Sequence, residues 1–159
     1  MLKKVLPWFI IVALIALLIG LFMMKDSMNA HLSKMMKTQA GSEISGSGEA
    51  FVDSAFNYVK NGQCYEMTFL EFGANCPACR RMEAVMAETR AKYPQQVNVV
   101  FLNILLPENQ NLMKYFGVVS IPAQVLLDKA GKEFFRHSDY ISFEDLTKKF
   151  DKYLISNNL

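Results

Sequence analysis

The sequence is poor in the residues that disulfide-rich, nucleic-acid-binding and metal-loaded proteins use. Three cysteines in 159 residues are too few, and too odd in number, for a disulfide scaffold. The two histidines, His31 and His137, are widely separated, so a four-ligand zinc site within one chain lacks ligands. Seventeen basic and fifteen acidic side chains give a formal charge of +2 without long runs of one sign. We therefore expect no nucleic-acid partner and no cofactor.

Long apolar runs are also missing, except at the amino-terminal end. The run Val5–Met24 holds no charged residue, and about twenty helical residues span roughly 30 Å, the thickness of a bilayer's hydrocarbon core. We predict a single transmembrane helix over residues 5–24, within an uncleaved membrane anchor over residues 1–26. The alternative is a cleaved signal peptide, but its apolar core is usually shorter, and Met28-Asn29-Ala30 is a poor cleavage site.

Composition divides the rest of the chain in two. Residues 27–48 are polar and then rich in glycine and serine, which predicts a stalk and a flexible linker. Residues 49–159 contain alternating helix and strand patterns, which predict one domain. The alternation predicts an α/β fold with a mixed central sheet and helices on both faces.

The elements predicted in this domain follow the order α-β-α-β-α-β-β-α. Helical spacing, β-branched runs and turn residues set their approximate limits. They are a helix over 49–61, a buried strand over Met67–Phe72, a helix over Cys76–Lys92, a second buried strand over Val97–Leu105, a short helix over Pro107–Phe116, a hairpin of Ala123–Leu127 and Glu133–Arg136, and a final helix over 142–154.

One motif carries reactive chemistry, the sequence Cys76-Pro77-Ala78-Cys79. A cysteine in the first turn of a helix lies where unpaired backbone N–H groups and the helix dipole stabilise a thiolate, so Cys76 is the candidate nucleophile. Cys79 lies almost one turn further along, close enough to attack a mixed disulfide on Cys76 and release the partner. Pro77 fits an early helical position, because no backbone N–H is needed there.

The cysteine spacing leaves other interpretations open. A C-x-x-C pair is also half of a zinc site, which makes a metal-binding module or metallochaperone the alternative from another functional class. A disulfide oxidase or isomerase uses the same two sulfurs as a reductase, because the redox potential sets the direction of transfer. The third cysteine, Cys64, has no neighbouring cysteine, and we predict a half-buried small side chain there.

Three segments resemble the thioredoxin superfamily: Phe69–Met82, Tyr115–Pro122 and Asp128–Glu133. They follow one another in that family's order and look closest to the membrane-anchored or periplasmic thioredoxins of bacteria. The resemblance implies a thioredoxin-like fold and a protein-disulfide reductase whose redox-active disulfide joins Cys76 and Cys79. It also implies protein disulfides as substrates and a transmembrane electron donor of the cytochrome c biogenesis kind. Such a domain belongs in the periplasm or another extracytoplasmic space, on a single-pass anchor.

The resemblance assigns further site residues. In that family an Ile-Pro bond is cis and lies against the active-site disulfide, so Pro122 would be the cis proline. Ile121 would then be the position whose backbone docks a bound peptide. Asn75, which stands where the family usually has a tryptophan, would join Pro77 and Ala78 in contacting the substrate.

A buried acid completes the catalytic set that the resemblance implies. It relays a proton to the resolving thiol and usually lies six positions before the first cysteine, whereas Glu71 lies five before Cys76. Either the loop has lost a residue and Glu71 faces inward, or strand alternation turns Glu71 outward and Leu70 points in. We favour the lost loop residue, because the sequence from Glu71 to Ala74 keeps the family's pattern.

Overall fold

The computed structural model describes residues 2–157, with the side chains of all of these except 2–7, 9, 26, 42 and 157. Helices and strands alternate through most of the described chain. The elements are α1 (Leu2–Gln39), α2 (Gly41–Phe56), α3 (Tyr58–Asn61), β1 (Met67–Gly73), α4 (Pro77–Lys92), β2 (Val97–Asn103), α5 (Pro107–Tyr115), β3 (Ala123–Asp128), β4 (Glu133–Ser138) and α6 (Phe143–Asn157).

The four strands form one mixed sheet in the order β2-β1-β3-β4. Strand β1 is parallel to β2 and antiparallel to β3, and β3 is antiparallel to β4. The turn between β3 and β4 is held by Asp128, whose Oδ1 accepts hydrogen bonds from the N–H groups of Ala130 and Lys132. The predicted mixed sheet is therefore confirmed.

Helices cover both faces of the sheet, as the alternation predicted. Helices α2 and α5 pack on one face, where the buried strand residues are Leu70, Phe72, Leu102, Ala123, Val125 and Leu127. Helices α4 and α6 pack on the other, against Met67, Phe69, Val97 and Leu126. Each fully buried large side chain contributes roughly 1.5–3 kcal/mol relative to exposure. Strand β1 lies in the centre and is buried along its whole length.

Strand β2 differs from its prediction as a buried strand over Val97–Leu105. It ends at Asn103 and lies at the edge of the sheet, with a strand on one side only. Its side chains are therefore only partly covered, and Phe101 is 42% exposed.

The glycine-rich segment 41–48, predicted as flexible, is helical and forms the first half of α2. Gly48 is buried against α5, where an added Cβ would lie 2.5 Å from the Tyr115 ring. Glycine here permits the close approach of two helices, and tertiary packing then outweighs its low helix propensity. Composition alone could not reveal this contact.

Helix α1 contains the predicted anchor. Taken singly, no helix in the described part of the chain has both the length and the apolar character to cross a membrane. Two segments, Ile10–Lys25 and Ser27–Gln39, meet at a bend of 42°. Together they have the length and composition that a membrane span requires. Met1, the first residue of the predicted anchor, lies outside the described residues, as do 158 and 159 at the other end. The transmembrane helix stays a prediction.

The second half of α1, predicted as a stalk, lies against the domain. Ser33 is buried, and its hydroxyl accepts a hydrogen bond from Arg136 of β4. The Lys37 ammonium pairs with Glu133 at 3.2 Å. Residues 27–39 therefore contact the strand hairpin, which a free tether would not do.

Candidate active site

Cys76 and Cys79 lie where β1 passes into α4. Cys76 is the N-cap of α4 with an extended backbone, and its Sγ accepts a 3.0 Å hydrogen bond from the Cys79 N–H. Pro77 follows as the first helical residue. Its fixed φ suits that position, and its missing N–H would have had no partner in the helix.

The two cysteines are joined by a disulfide, with their Cα atoms 5.1 Å apart. The two sulfur-bearing residues differ in exposure, since Cys76 is partly exposed and Cys79 is 3% exposed. Asn75 and Pro77 are exposed on either side of Cys76, and Ala78 is partly exposed. A foreign disulfide can therefore approach Cys76 but not Cys79.

Pro122 lies at the same edge of the sheet as the cysteines. The register pairs Phe72 near the end of β1 with Ala123 at the start of β3, so Pro122 comes beside Gly73. The Ile121–Pro122 peptide bond is cis, as the resemblance implied. Pro122 is buried and Ile121 is partly exposed, which leaves the preceding residue accessible.

Asp139 lies beside Pro122 and was not expected from the sequence. Its backbone N–H donates a 2.8 Å hydrogen bond to the Pro122 carbonyl, and its φ of 92° lies in the region that favours glycine. Aspartate tolerates this conformation through local hydrogen bonds, and Oδ1 of Asp139 accepts one from the Tyr140 N–H at 2.7 Å. Nothing in the local sequence indicates the left-handed backbone.

Glu71 faces inward and is fully buried. Its Oε2 accepts a 3.0 Å hydrogen bond from Nε2 of Gln124, the residue opposite it on β3. Burial raises the pKa of Glu71 to about 8, and the hydrogen bond from Gln124 opposes that rise. Leu70 faces the other helical layer, so both residues are buried and the inward orientation that we favoured is the observed one.

Glu71 lies on the face of β1 that meets α4. An added Cβ at Gly73 would lie 3.6 Å from the Cys79 Cβ, so this side of β1 points at Cys79. Glu71 is two residues earlier and therefore faces the same side, about 7 Å along the strand. The carboxyl thus lies in the same buried layer as Cys79.

Two further expectations concern metal and the third cysteine. In the described part of the chain, no three His, Cys, Asp or Glu side chains come together as a group that could hold a metal ion.

Cys64 is a free thiol and is exposed. The prediction of a half-buried Cys64 was wrong, because the residue lies in the loop between α3 and β1, outside the sheet and the helices that cover it.

Gln124 is the main site residue that the sequence reading missed. It interrupts the apolar run of β3, which was a signal that a polar side chain is buried there. Its partner could not be identified, because the register between β1 and β3 is not readable from the sequence.

The sheet order, the cysteine pair at the start of a helix and the cis proline beside it together define a thiol–disulfide redox domain. The sequence model of one family, described as a thioredoxin-like domain, matches residues 52–154. The chain therefore belongs to the thioredoxin-like family, within the thioredoxin superfamily.

Solved structures show the same fold. One is a thioredoxin-2 described as a component of the protein secretion machinery of the malaria parasite: it is 24% identical, with 55% of this chain and 82% of that chain covered and a TM-score of 0.50. Another, described as a malarial protein, is 24% identical, with 56% and 98% covered and a TM-score of 0.52. At this identity the likeness concerns the fold alone. No curated protein matches the chain in sequence.

Proposed function

We propose that this protein is a membrane-anchored reductase of extracytoplasmic protein disulfides. The observation that carries the proposal is the difference between its two bonded cysteines. Cys76 is accessible at the positive end of α4, whereas Cys79 is buried behind it and within bonding distance. This arrangement suits Cys76 to attack a substrate and Cys79 to release it.

In the proposed reaction the reduced protein transfers two electrons to a substrate disulfide. The Cys76 thiolate attacks one substrate sulfur, and the other substrate sulfur leaves as a thiolate. Glu71 then accepts the proton of the Cys79 thiol, and the Cys79 thiolate attacks Sγ of Cys76. The bond between Cys76 and the substrate breaks, the substrate leaves reduced, and the Cys76–Cys79 disulfide forms, which is the state of this structure.

The substrate would lie along the exposed rim of the cysteine pair. Asn75, Pro77 and Ala78 surround Cys76 with accessible surface, and Ile121 precedes the cis proline at the same edge. An extended peptide can pair with backbone groups at such an edge, as in other complexes that use β-strand addition. We propose that the Ile121 backbone docks the substrate segment that carries the disulfide.

Membrane anchoring is supported by the surface of α1. Its large apolar side chains are exposed at Trp8 and from Ile10 to Met24. A helix that is apolar on all sides is stable in a protein core or in a bilayer, and within the described residues no protein core surrounds residues 10–24. Asp26, just after the run, and Lys25 would then lie near the membrane surface.

The electron donor would meet the domain close to the membrane. Lys25 pairs with Asp139 at 3.7 Å, and Asp139 is hydrogen-bonded to Pro122. These contacts bring the cysteine edge near the end of the apolar run. A transmembrane thiol carrier of the cytochrome c biogenesis kind could therefore reach Cys76 and return the disulfide to the dithiol.

The activity is tested with the full chain in detergent. The protein is reduced, freed of reductant and mixed with insulin, and the loss of insulin disulfides is measured. We expect one insulin disulfide reduced per protein molecule, and none by Cys76→Ser. A full chain that leaves insulin disulfides intact, or that is purified with stoichiometric metal on its cysteines, would favour the metal-binding alternative.

The direction of transfer is tested by the redox potential of the Cys76–Cys79 pair, measured at equilibrium with glutathione. A reductase requires a value below about −200 mV, whereas a value near about −120 mV is typical of strong oxidases. The second result would reassign the protein as a disulfide oxidase.

The side of the membrane is tested with Cys64, which is exposed and free while the other two cysteines are joined. A membrane-impermeant maleimide should label the protein in intact cells or spheroplasts, at Cys64 and, in the reduced protein, at Cys76. A variant that carries both Cys64→Ser and Cys76→Ser should remain unlabelled, because its remaining cysteine, Cys79, is buried. Labelling only after lysis would place the domain in the cytosol.

A further inference from the structure

Gln124 places a neutral amide in the apolar layer between the sheet and α4. The side chain is fully buried, and Nε2 donates to Oε2 of Glu71 at 3.0 Å, while Oε1 of Gln124 has no hydrogen-bond partner among the described residues. A methionine would fill a similar volume without leaving a buried carbonyl unpaired, which is a destabilising arrangement. Packing alone therefore does not explain the amide.

The pair is fixed by the sheet itself. Glu71 and Gln124 lie directly opposite each other on the central strands β1 and β3, so their side chains share one face. The same face meets Cys79 at the next inward position of β1, Gly73. The second carboxylate oxygen, Oε1 of Glu71, accepts no hydrogen bond within the described part of the chain, so it can receive a proton.

We propose that Gln124 is a positioning residue for the proton transfer: its amide holds one oxygen of Glu71 and leaves the other to take the proton of Cys79. The inference rests on the proposed function and adds a residue to it. The Cys79 thiol gives its proton to Oε1 of Glu71, and the Cys79 thiolate attacks Cys76 in the mixed disulfide. The leaving partner departs as a thiolate, and Glu71 later returns the proton to solvent.

The surroundings of Glu71 make the amide its dominant polar partner. On β2 the opposite residue is Phe101, and from α4 and α6 the layer is filled by apolar side chains that include Met82 and Phe150. The titratable groups on this face include Cys79 of α4, once its disulfide is reduced, and, one strand further away, His137 of β4, which pairs with Gln124 in the register. Burial and the Gln124 hydrogen bond are the causes that set the pKa of Glu71.

The test follows the resolving step alone. The full chain with Cys64→Ser is reduced in detergent and mixed with an aromatic disulfide that releases a coloured thiolate. One equivalent is released when Cys76 attacks and a second when Cys79 resolves the mixed disulfide, so the rate of the second phase isolates that step. We expect this rate to rise with pH around an inflection near 8, the pKa of Glu71.

Gln124→Met removes the hydrogen bond that favours the charged form of Glu71. We expect the inflection to move up by about one pH unit, so that the second phase slows roughly tenfold at neutral pH while the first is unchanged. Gln124→Asn keeps the amide on a side chain that is one methylene shorter, and it should move the inflection in the same direction. This second variant keeps the test valid if Gln124→Met does not fold. His137→Gln is the matched control and should leave the inflection in place.

The outcomes separate this inference from the function on which it rests. An inflection that stays near pH 8 in both Gln124 variants, or that moves as far in His137→Gln, would overturn the role of the amide. An inflection that survives in Glu71→Gln would show that Glu71 is not the proton acceptor, although the dithiol still reacts. Absence of both phases in the parent chain would instead contradict the proposed function.

Discussion

Arg136 of β4 donates a hydrogen bond to the Ser33 hydroxyl of α1 at 3.0 Å. The same guanidinium donates to both carboxylate oxygens of Glu133, at 2.7 and 2.9 Å. Beside this contact Gly117 approaches the Ser33 carbonyl so closely that an added Cβ would collide with it. The second half of helix α1 is therefore held against the segment that leads to Pro122.

Replacing Arg136 should loosen this contact and destabilise the fold. In Arg136→Met, Glu133 loses a charged partner while its side chain is only 27% exposed, so we expect a loss of about 2–3 kcal/mol in the free energy of unfolding. Lys148→Met is the control. The Lys148 side chain is 61% exposed, so the loss of its ion pairs should lower the free energy of unfolding by less than about 1 kcal/mol. Denaturant unfolding of the full chain, followed by circular dichroism, measures both. Equal losses would argue against a structural role of Arg136.

Alanine substitutions at two glycines of α2 should change the stability of the protein in opposite directions. Gly46 is exposed with open space around it, so Gly46→Ala should stabilise the helix by about 0.5–1 kcal/mol. Gly48→Ala should instead destabilise the protein by about 1–3 kcal/mol, because the new Cβ would meet the Tyr115 ring. Thermal unfolding of the two variants gives the sign of each change. If segment 41–48 were a flexible linker, both substitutions would leave stability unchanged.

Burial of Glu71 predicts a pH dependence of stability. Its pKa is about 8 in the folded protein against 4.5 in the unfolded chain, so the folded state holds the proton more tightly between these values. Stability should therefore fall as pH rises from about 4.5 to about 8, by a few kcal/mol in total, and level off above. Glu71→Gln should remove this slope and be the more stable protein at pH 9. A parent chain with no slope in this window would show that Glu71 is ionised when folded.

Sequence patterns predicted most helices and strands of the domain, because the local preferences of these segments agree with the structure that they adopt in the packed fold. The apolar run of β1 and the turn at Asp128 lie where periodicity and turn chemistry place them. The cysteine pair was identifiable since its chemistry depends on a fixed spacing within one helix turn. The cis bond before Pro122 came only from the resemblance, as no local signal distinguishes it from a trans bond.

The features that were not predictable depend on contacts between distant segments. Gln124 meets Glu71 through a strand register, and Gly48 meets Tyr115 through the packing of α2 on α5. The second half of α1 lies on the domain through Ser33, a residue whose burial has no sequence signature. Gly48 and Ser33 look locally like ordinary flexible or polar residues, and Gln124 shows only that a polar side chain is buried in β3. The partner of each residue is defined by the assembled fold alone.

The central claim is that Cys76 attacks and Cys79 resolves. It is tested most directly by incubating the full-length Cys79→Ala and Cys76→Ala variants, both carrying Cys64→Ser, with a protein disulfide substrate and separating the products without reductant. We predict a stable mixed disulfide on Cys79→Ala, which lacks the resolving thiol, and none on Cys76→Ala, whose remaining thiol is buried. Adducts on Cys76→Ala alone, or on neither variant, would contradict the account.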